Sequence, residues 1–200
     1  MKVDLIDRVA LVTGPASILA DILVDRLAAS GAKVEPRREL HSESVAVTDE
    51  HHQKLNVLIN IALPPGPVVV ADIEAICRSA ADAMDSGGRI LNLVSAFGIV
   101  PARGEIAASA ASAAILALTR GLALEYGPRG ILINALAIGA AGEDDPIAPR
   151  LLSHVPLGRS GTLLEIADAA LFLVDPDNSY TTGHVLVVDG GWTAGYARDF

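Results

Sequence analysis

Between residues 139 and 156 the sequence gathers Glu143, Asp144, Asp145, Arg150 and His154, side chains that can exchange protons and hold an anion. Carboxylates beside a histidine supply general acid–base chemistry once a fold brings them within reach of a substrate atom. Charged loop residues also serve as solvated surface, and both readings stand for this segment. Ser95 closes an apolar run, but a serine is an activated nucleophile only with a base placed against it; its plain role is a strand-end hydroxyl bonded to backbone. His51 and His52 are adjacent and so do not converge on one ion in the manner of spaced helical ligands, and no other spacing of His, Cys or acids makes a metal site. Cys77 is the one cysteine, which excludes an intramolecular disulfide and suits a reducing compartment. Its apolar helical neighbours place it in the core.

The elements that must position these groups read as alternating strands and helices. The apolar run at 9–13 ends in Gly14, and Leu19, Ile22, Leu23 and Leu27 then recur with helical spacing as far as Gly31. Lys33 and Val34 begin a second strand, 44–48 forms a third, and the continuous apolar run 56–62 suits a central parallel strand. Beyond it come a helix over 72–84, a strand over 89–95, a long Ala-rich helix over 106–126 and a strand over 131–138. A helix over 163–173 is opened by Thr162 with Glu165 three residues on, a capping box, and 184–188 is the last strand. This alternation predicts an α/β fold, a doubly wound parallel sheet in a three-layer α/β/α arrangement, as one domain over 1–200. Only seven residues, 49–55, join the third and fourth strands. A crossover containing a helix needs about a dozen or more, so that helix is expected to be shortened or missing.

Composition narrows the partners. Net charge is −9 with 51% hydrophobic and 4% aromatic residues, which argues against a nucleic-acid partner, since such proteins carry a basic face. The first residues alternate in charge rather than forming a signal sequence, and no uninterrupted apolar run reaches about 18 residues. No membrane partner and a cytoplasmic location are expected.

Six segments in order carry a resemblance: Ala10-Leu11-Val12-Thr13-Gly14, Arg89-Ile90-Leu91-Asn92-Leu93-Val94-Ser95, Ile133-Asn134-Ala135-Leu136-Ala137, Pro156-Leu157-Gly158-Arg159, Glu165-Ile166-Ala167 and Thr182-Gly183 through Asp189-Gly190-Gly191. Together they resemble the short-chain dehydrogenase/reductase family over nearly the whole chain. The resemblance implies a Rossmann-type fold, a nicotinamide cofactor, a catalytic Ser that falls on Ser95, and a Tyr–Lys pair four residues apart. Those two positions hold Ala108 and Ser112.

The cofactor pattern departs from the family as well. Glycines after the first strand let backbone N–H groups at a helix N-terminus approach a pyrophosphate. Gly14 is retained, but Ile18 and Ala20 occupy the next two glycine places, and a branched Ile18 is expected to fill space meant for phosphate oxygens. Pro15 removes a donor. The family's adenine-holding Asp falls on Ala46, and its Asn-Asn-Ala-Gly motif reads Asn60-Ile61-Ala62-Leu63. The Pro-Gly beside the nicotinamide becomes Ile138-Gly139, and the Thr four residues beyond becomes Glu143. Arg37 and Arg38 have the charge for a ribose 2′-phosphate, although arginines after a strand are ordinary surface.

From these departures no catalytic or cofactor-binding residue is assigned, Ser95 is read as vestigial, and no NAD(P) is expected to bind. The leading expectation is a catalytically inactive subunit that assembles with an intact oxidoreductase of the family. Homo-oligomerisation through the 106–126 helix and the C-terminal tail is the other assembly. The alternatives are a nicotinamide-independent cleft for isomerisation, dehydration or cyclisation, with Glu143, Asp144 and His154 as acid–base groups, and a weak or unusual NAD(P)-dependent oxidoreductase.

Overall fold

A computed structural model describes residues 3–37, 54–63, 69–143, 145 and 148–195. The elements follow in the order β1 (Val9–Thr13), α1 (Ile18–Ala29), β2 (Lys33–Arg37), β3 (Leu55–Ala62), α2 (Val70–Ala83) and β4 (Met84–Ser95). After these come α3 (Ile106–Tyr126), β5 (Leu132–Ile138), α4 (Ala148–Leu151), α5 (Leu163–Val174) and β6 (Val185–Val188). The strands form one six-stranded sheet in the order β2-β1-β3-β4-β5-β6, with every pairing parallel. The strand expected over 44–48 and the segment expected to lack a helix lie, up to residue 53, outside the described residues.

Side chains alternate along the strands and feed two cores. Leu58, Ile90 and Ile133 face α2 and α3, where Ile73, Ile76, Ile115 and Leu122 meet them. Ile59, Leu91 and Leu136 face α1 and α5, where Leu23, Leu27, Ile166 and Ala170 close the opposite layer. Strands covered on both faces read as continuous apolar runs, as parallel central strands must. The result is an α/β/α Rossmann-like fold. The buried Ile90, Leu91, Leu93 and Val94 of β4 contribute to both layers, each fully buried Leu or Ile adding about 1.5–3 kcal/mol.

Helix boundaries follow from identifiable caps. Ser17, in extended conformation, accepts a hydrogen bond from the Ala20 N–H and starts α1. Thr162 and Glu165 form the capping box of α5: the Thr162 hydroxyl accepts from the Glu165 N–H and the Glu165 carboxylate accepts from the Thr162 N–H. The segment Ile106–Arg129 is long and apolar enough to cross a membrane by length and composition alone. In the fold its Ile115, Leu116, Leu122 and Tyr126 are buried against the sheet and α2.

Strand β4 begins at Met84 rather than at the expected Arg89. Its ladder with β3 continues to Met84 opposite Leu55 after a register irregularity, so Asp85-Ser86-Gly87-Gly88, which reads as a turn in sequence, is absorbed into an irregular strand start.

Candidate functional site

The sheet reverses its winding at β1, which has β2 on one side and β3 on the other. In open α/β sheets the crevice beyond the carboxyl ends of the strands at such a point receives ligands. Gly14 follows β1 there with φ +131°, and a Cβ in its place would stand 2.7 Å from the Ile61 carbonyl oxygen. Its glycine identity is therefore set by the close approach of β3. Pro15, Ala16, Ser17 and Ile18 are all exposed, so the N-terminus of α1 opens to solvent at this crest.

A line of buried polar side chains runs across the sheet beneath the crest. The Thr13 hydroxyl donates to Asn60 Oδ1 (2.6 Å), and Asn60 Nδ2 donates to Asn92 Oδ1 (2.8 Å). Asn92 Nδ2 donates to the Thr119 hydroxyl (3.0 Å), which donates to the Ile115 carbonyl (2.8 Å). Cys77 lies against both asparagines, and its burial pushes the thiol pKa up to about 12. Asn60 and Asn92 are register partners, so this line ties β1, β3, β4 and α3 together under the site.

Ser95 ends β4, and its hydroxyl accepts from the Phe97 N–H (3.2 Å), which caps the 3-10 turn Ala96–Gly98. Ala108 is half-buried in the first turn of α3 and Ser112 is buried a turn further on. Gly98 presses on that second turn: a Cβ there would stand 2.8 Å from Ser112 Cβ. No titratable group occupies either family position.

A cavity of about 560 Å³ opens beside them at the same end of the sheet. Its walls are Phe97 after β4, Ala102, Arg103 and Glu105 before α3, Arg150 and Leu151 of α4, His154, and Trp192. Glu105 precedes Ala108 by one helical turn. Phe97 and Trp192 meet edge to face with centroids 5.5 Å apart. The Asp189 carboxylate accepts from the Gly191 and Thr193 N–H groups (2.8 and 2.7 Å), which fastens the turn that presents Trp192. The His154 Nδ1 is 2.9 Å from the Ser153 hydroxyl.

The acid–base segment of the sequence is therefore divided. Arg150 and His154 reach the cavity, Glu143 is exposed outside its walls, and the Asp145 carboxylate accepts from the Ala141 N–H (3.0 Å). Asp144, Ala46, Arg38, His51 and His52 lie outside the described residues, and Leu63 is half-buried at the end of the described β3 segment. Among the described residues no group of His, Cys, Asp and Glu could hold a metal ion. Sequence reasoning missed Phe97, Arg103, Glu105 and Trp192. The lone tryptophan following Asp-Gly-Gly was the one available signal.

An open parallel sheet with a helix N-terminus at its winding reversal and a cavity on the same crest is the arrangement of a Rossmann-like α/β protein. The profile of the family described as Enoyl-(Acyl carrier protein) reductase matches residues 73–193, and the chain belongs to the short-chain dehydrogenase/reductase family. It is 42% identical over 116 residues to galactitol 2-dehydrogenase (L-tagatose-forming) of Cereibacter sphaeroides, covering 53% of this chain and 46% of that one. It is 36% identical over 165 residues to the peroxisomal 2,4-dienoyl-CoA reductase of Mus musculus, covering 69% and 56%. The chain thus spans about half the length of the curated relatives it matches. A short-chain dehydrogenase/reductase from Serratia marcescens superposes with a TM-score of 0.82 at 26% identity, over 94% of this chain and 99% of that one. A short-chain dehydrogenase from Burkholderia cenocepacia, solved in complex with NADP, gives 0.85 at 25% identity over 94% and 98%.

These relatives correct two expectations. Relatives named as dehydrogenases and reductases overturn the reading as a catalytically inactive subunit, and with it the nicotinamide-independent cleft. A neighbour holding NADP overturns the expectation that no NAD(P) binds. The physical reason lies in what a helix N-terminus offers an anion: backbone N–H groups and the positive end of the dipole. Ile18 is 66% exposed and packs into neither core, so the α1 N-terminus is not buried beneath it.

Proposed function

We propose that this chain is an NAD(P)-dependent oxidoreductase that interconverts a carbonyl and an alcohol, or reduces an activated alkene, without the family's Tyr–Lys pair. One placement carries the reading: the solvent-open N-terminus of α1 and the 560 Å³ cavity share one end of the sheet. The nicotinamide, when bound, supplies or takes the hydride. The residues here fit its phosphates. Ile18 and Leu19 present the free N–H groups of a first helical turn, Ser17 holds the turn in place through Ala20, and Gly14 lets β1 and β3 meet beneath it.

Ala108 and Ser112 leave proton transfer to another group. His154 takes that role, because it lines the cavity and the Ser153 hydroxyl fixes its ring. Glu105 is held instead by Arg150. The chain acts as one domain over residues 1–200 in the cytoplasm, the compartment that suits a single buried thiol. It self-associates through the outer face of α3, where Ile106 and Leu124 are 77% and 81% exposed beside a row of alanines.

Consumption of NADPH and NADH with a panel of ketones, aldehydes and enoyl thioesters tests this reading. Turnover of at least one acceptor is expected, with His154→Phe lowering it about 10²–10⁴-fold. The absence of both nucleotide binding and nucleotide consumption contradicts it.

A further inference from the structure

The cavity has a chemistry that the oxidoreductase reading does not itself supply. Arg150 is set in place by three consecutive residues of the loop before α3. Its Nη2 donates to the Arg103 carbonyl (2.8 Å), and its Nη1 lies 3.6 Å from the Glu105 carboxylate. Its guanidinium also lies beside Gly104, near enough that an added Cβ would stand 3.7 Å from Nη2. Gly104 has φ +87°, so the loop turns tightly and brings those oxygens to one side of the guanidinium. A guanidinium has five N–H donors in a planar fork, and these contacts engage one edge of it. The side chain of Arg103 lines the same cavity.

With Glu105 as the counter-charge, two arginines leave a surplus of one positive charge on this wall, in a chain whose net charge is −9. That surplus matches a monoanion. A phosphate dianion would bring its second charge against Glu105. The apolar part of the lining is the edge-to-face pair Phe97–Trp192 with Leu151. The volume of about 560 Å³ lies within the range of about 300–1,000 Å³ usual for small-molecule sites.

We infer that this cavity binds an organic monocarboxylate with an apolar, ring-sized body, its carboxylate forked by Arg150 with Arg103 beside it and its body against Phe97 and Trp192. The inference rests on the oxidoreductase reading for its biological role: such a carboxylate anchors the substrate while the group to be reduced lies toward Ala108. Glu105 is then a positioning residue that orients Arg150 and does not touch the ligand.

Trp192 is the only tryptophan, so its fluorescence reports on this cavity directly. The experiment titrates the whole chain with 4-phenylbutanoate, its methyl ester and phenyl phosphate, and in parallel with NADPH. Saturable quenching by 4-phenylbutanoate is expected, at least tenfold tighter than for the ester or the phosphate. Arg150→Met should lose at least tenfold in carboxylate affinity with an unchanged thermal midpoint, and Arg150→Lys should recover only part of it, since an ammonium lacks the fork. Equal binding of ester and carboxylate, tighter binding of phenyl phosphate, or full affinity in Arg150→Met overturns the assignment. NADPH binding without carboxylate binding removes the ligand class alone. Carboxylate binding without NADPH binding removes the oxidoreductase reading and leaves the ligand class standing.

Discussion

The two parts of the crest recognise ligands by different means. At the end of β1 the polar groups offered to a ligand are mainly backbone: the open first turn of α1, with the Ser17 hydroxyl spent on the Ala20 N–H. Beyond β4 the wall is side chains, Arg103, Glu105, Arg150, His154 and Trp192, drawn from three separate segments. A backbone site tolerates substitution of the residues that form it, provided the chain path survives. A side-chain site does not. This difference explains why replacing two family glycines by Ile18 and Ala20 reads in sequence as a lost cofactor site, whereas the fold keeps the helix N-terminus open.

The contrast predicts effects of very different size. Gly14→Ala should be the most damaging single change: the φ of +131° costs about 1–3 kcal/mol for a residue with a Cβ, and the 2.7 Å approach to Ile61 adds overpacking of about 1–3 kcal/mol. Thermal unfolding measures the loss, and NADPH affinity should fall with it. Asn92→Leu comes next. It strips Asn60 and Thr119 of a buried partner, at about 1–3 kcal/mol for a donor left unpaired. A denaturant titration with unchanged slope and a lowered midpoint is expected, and the loss should reach both parts of the crest because the polar line runs under each.

A third change separates the two parts by pH. The Glu165 carboxylate accepts from the Arg159 guanidinium and from the Thr162 N–H and hydroxyl, which hold its pKa down at about 2 against an ordinary 4.5. A depressed folded-state pKa contributes stability that is fully present above the unfolded value and disappears as pH falls through the folded one. The difference in thermal midpoint between the parent chain and Glu165→Gln should therefore be constant above about pH 4.5 and vanish toward about pH 2. This clamp fixes the loop before α5, whose Pro156 packs against Gly191 beside Trp192, so acid should weaken carboxylate quenching before it weakens nucleotide binding.

The smallest effect belongs to Ile18→Gly. If the backbone N–H groups carry phosphate binding, loss of this exposed side chain leaves NADPH affinity within about twofold, well inside the tenfold that corresponds to about 1.4 kcal/mol. A large gain on this substitution would mean that Ile18 does obstruct the phosphates and that the backbone argument is wrong.

What could be read from sequence followed the same division. The 106–126 helix and the start of α5 at Thr162 were legible because their signals are local: an apolar period and a capping box. The start of β4 was not, since Asp85-Ser86-Gly87-Gly88 has turn chemistry and joins the sheet only through pairing with β3. Arg150 and His154 were visible as chemically capable residues. Trp192 and Glu105 were not, because nothing local says that the Asp189 carboxylate turns Trp192 toward Phe97, or that Arg150 reaches back to the loop at 103–105. Ala108 and Ser112 stand where the family has its Tyr and Lys, whereas the step from Ile18, Ala20, Ala46 and Leu63 to an absent cofactor is overturned by a structural neighbour that holds NADP.

Equilibrium titration of the purified chain with NADPH, followed by nucleotide fluorescence or calorimetry, tests the central claim most directly. Saturable one-to-one binding in the micromolar range, weakened by Gly14→Ala and unmoved by Ile18→Gly, is the predicted result. No saturable binding at millimolar nucleotide, with the chain folded, would contradict the account.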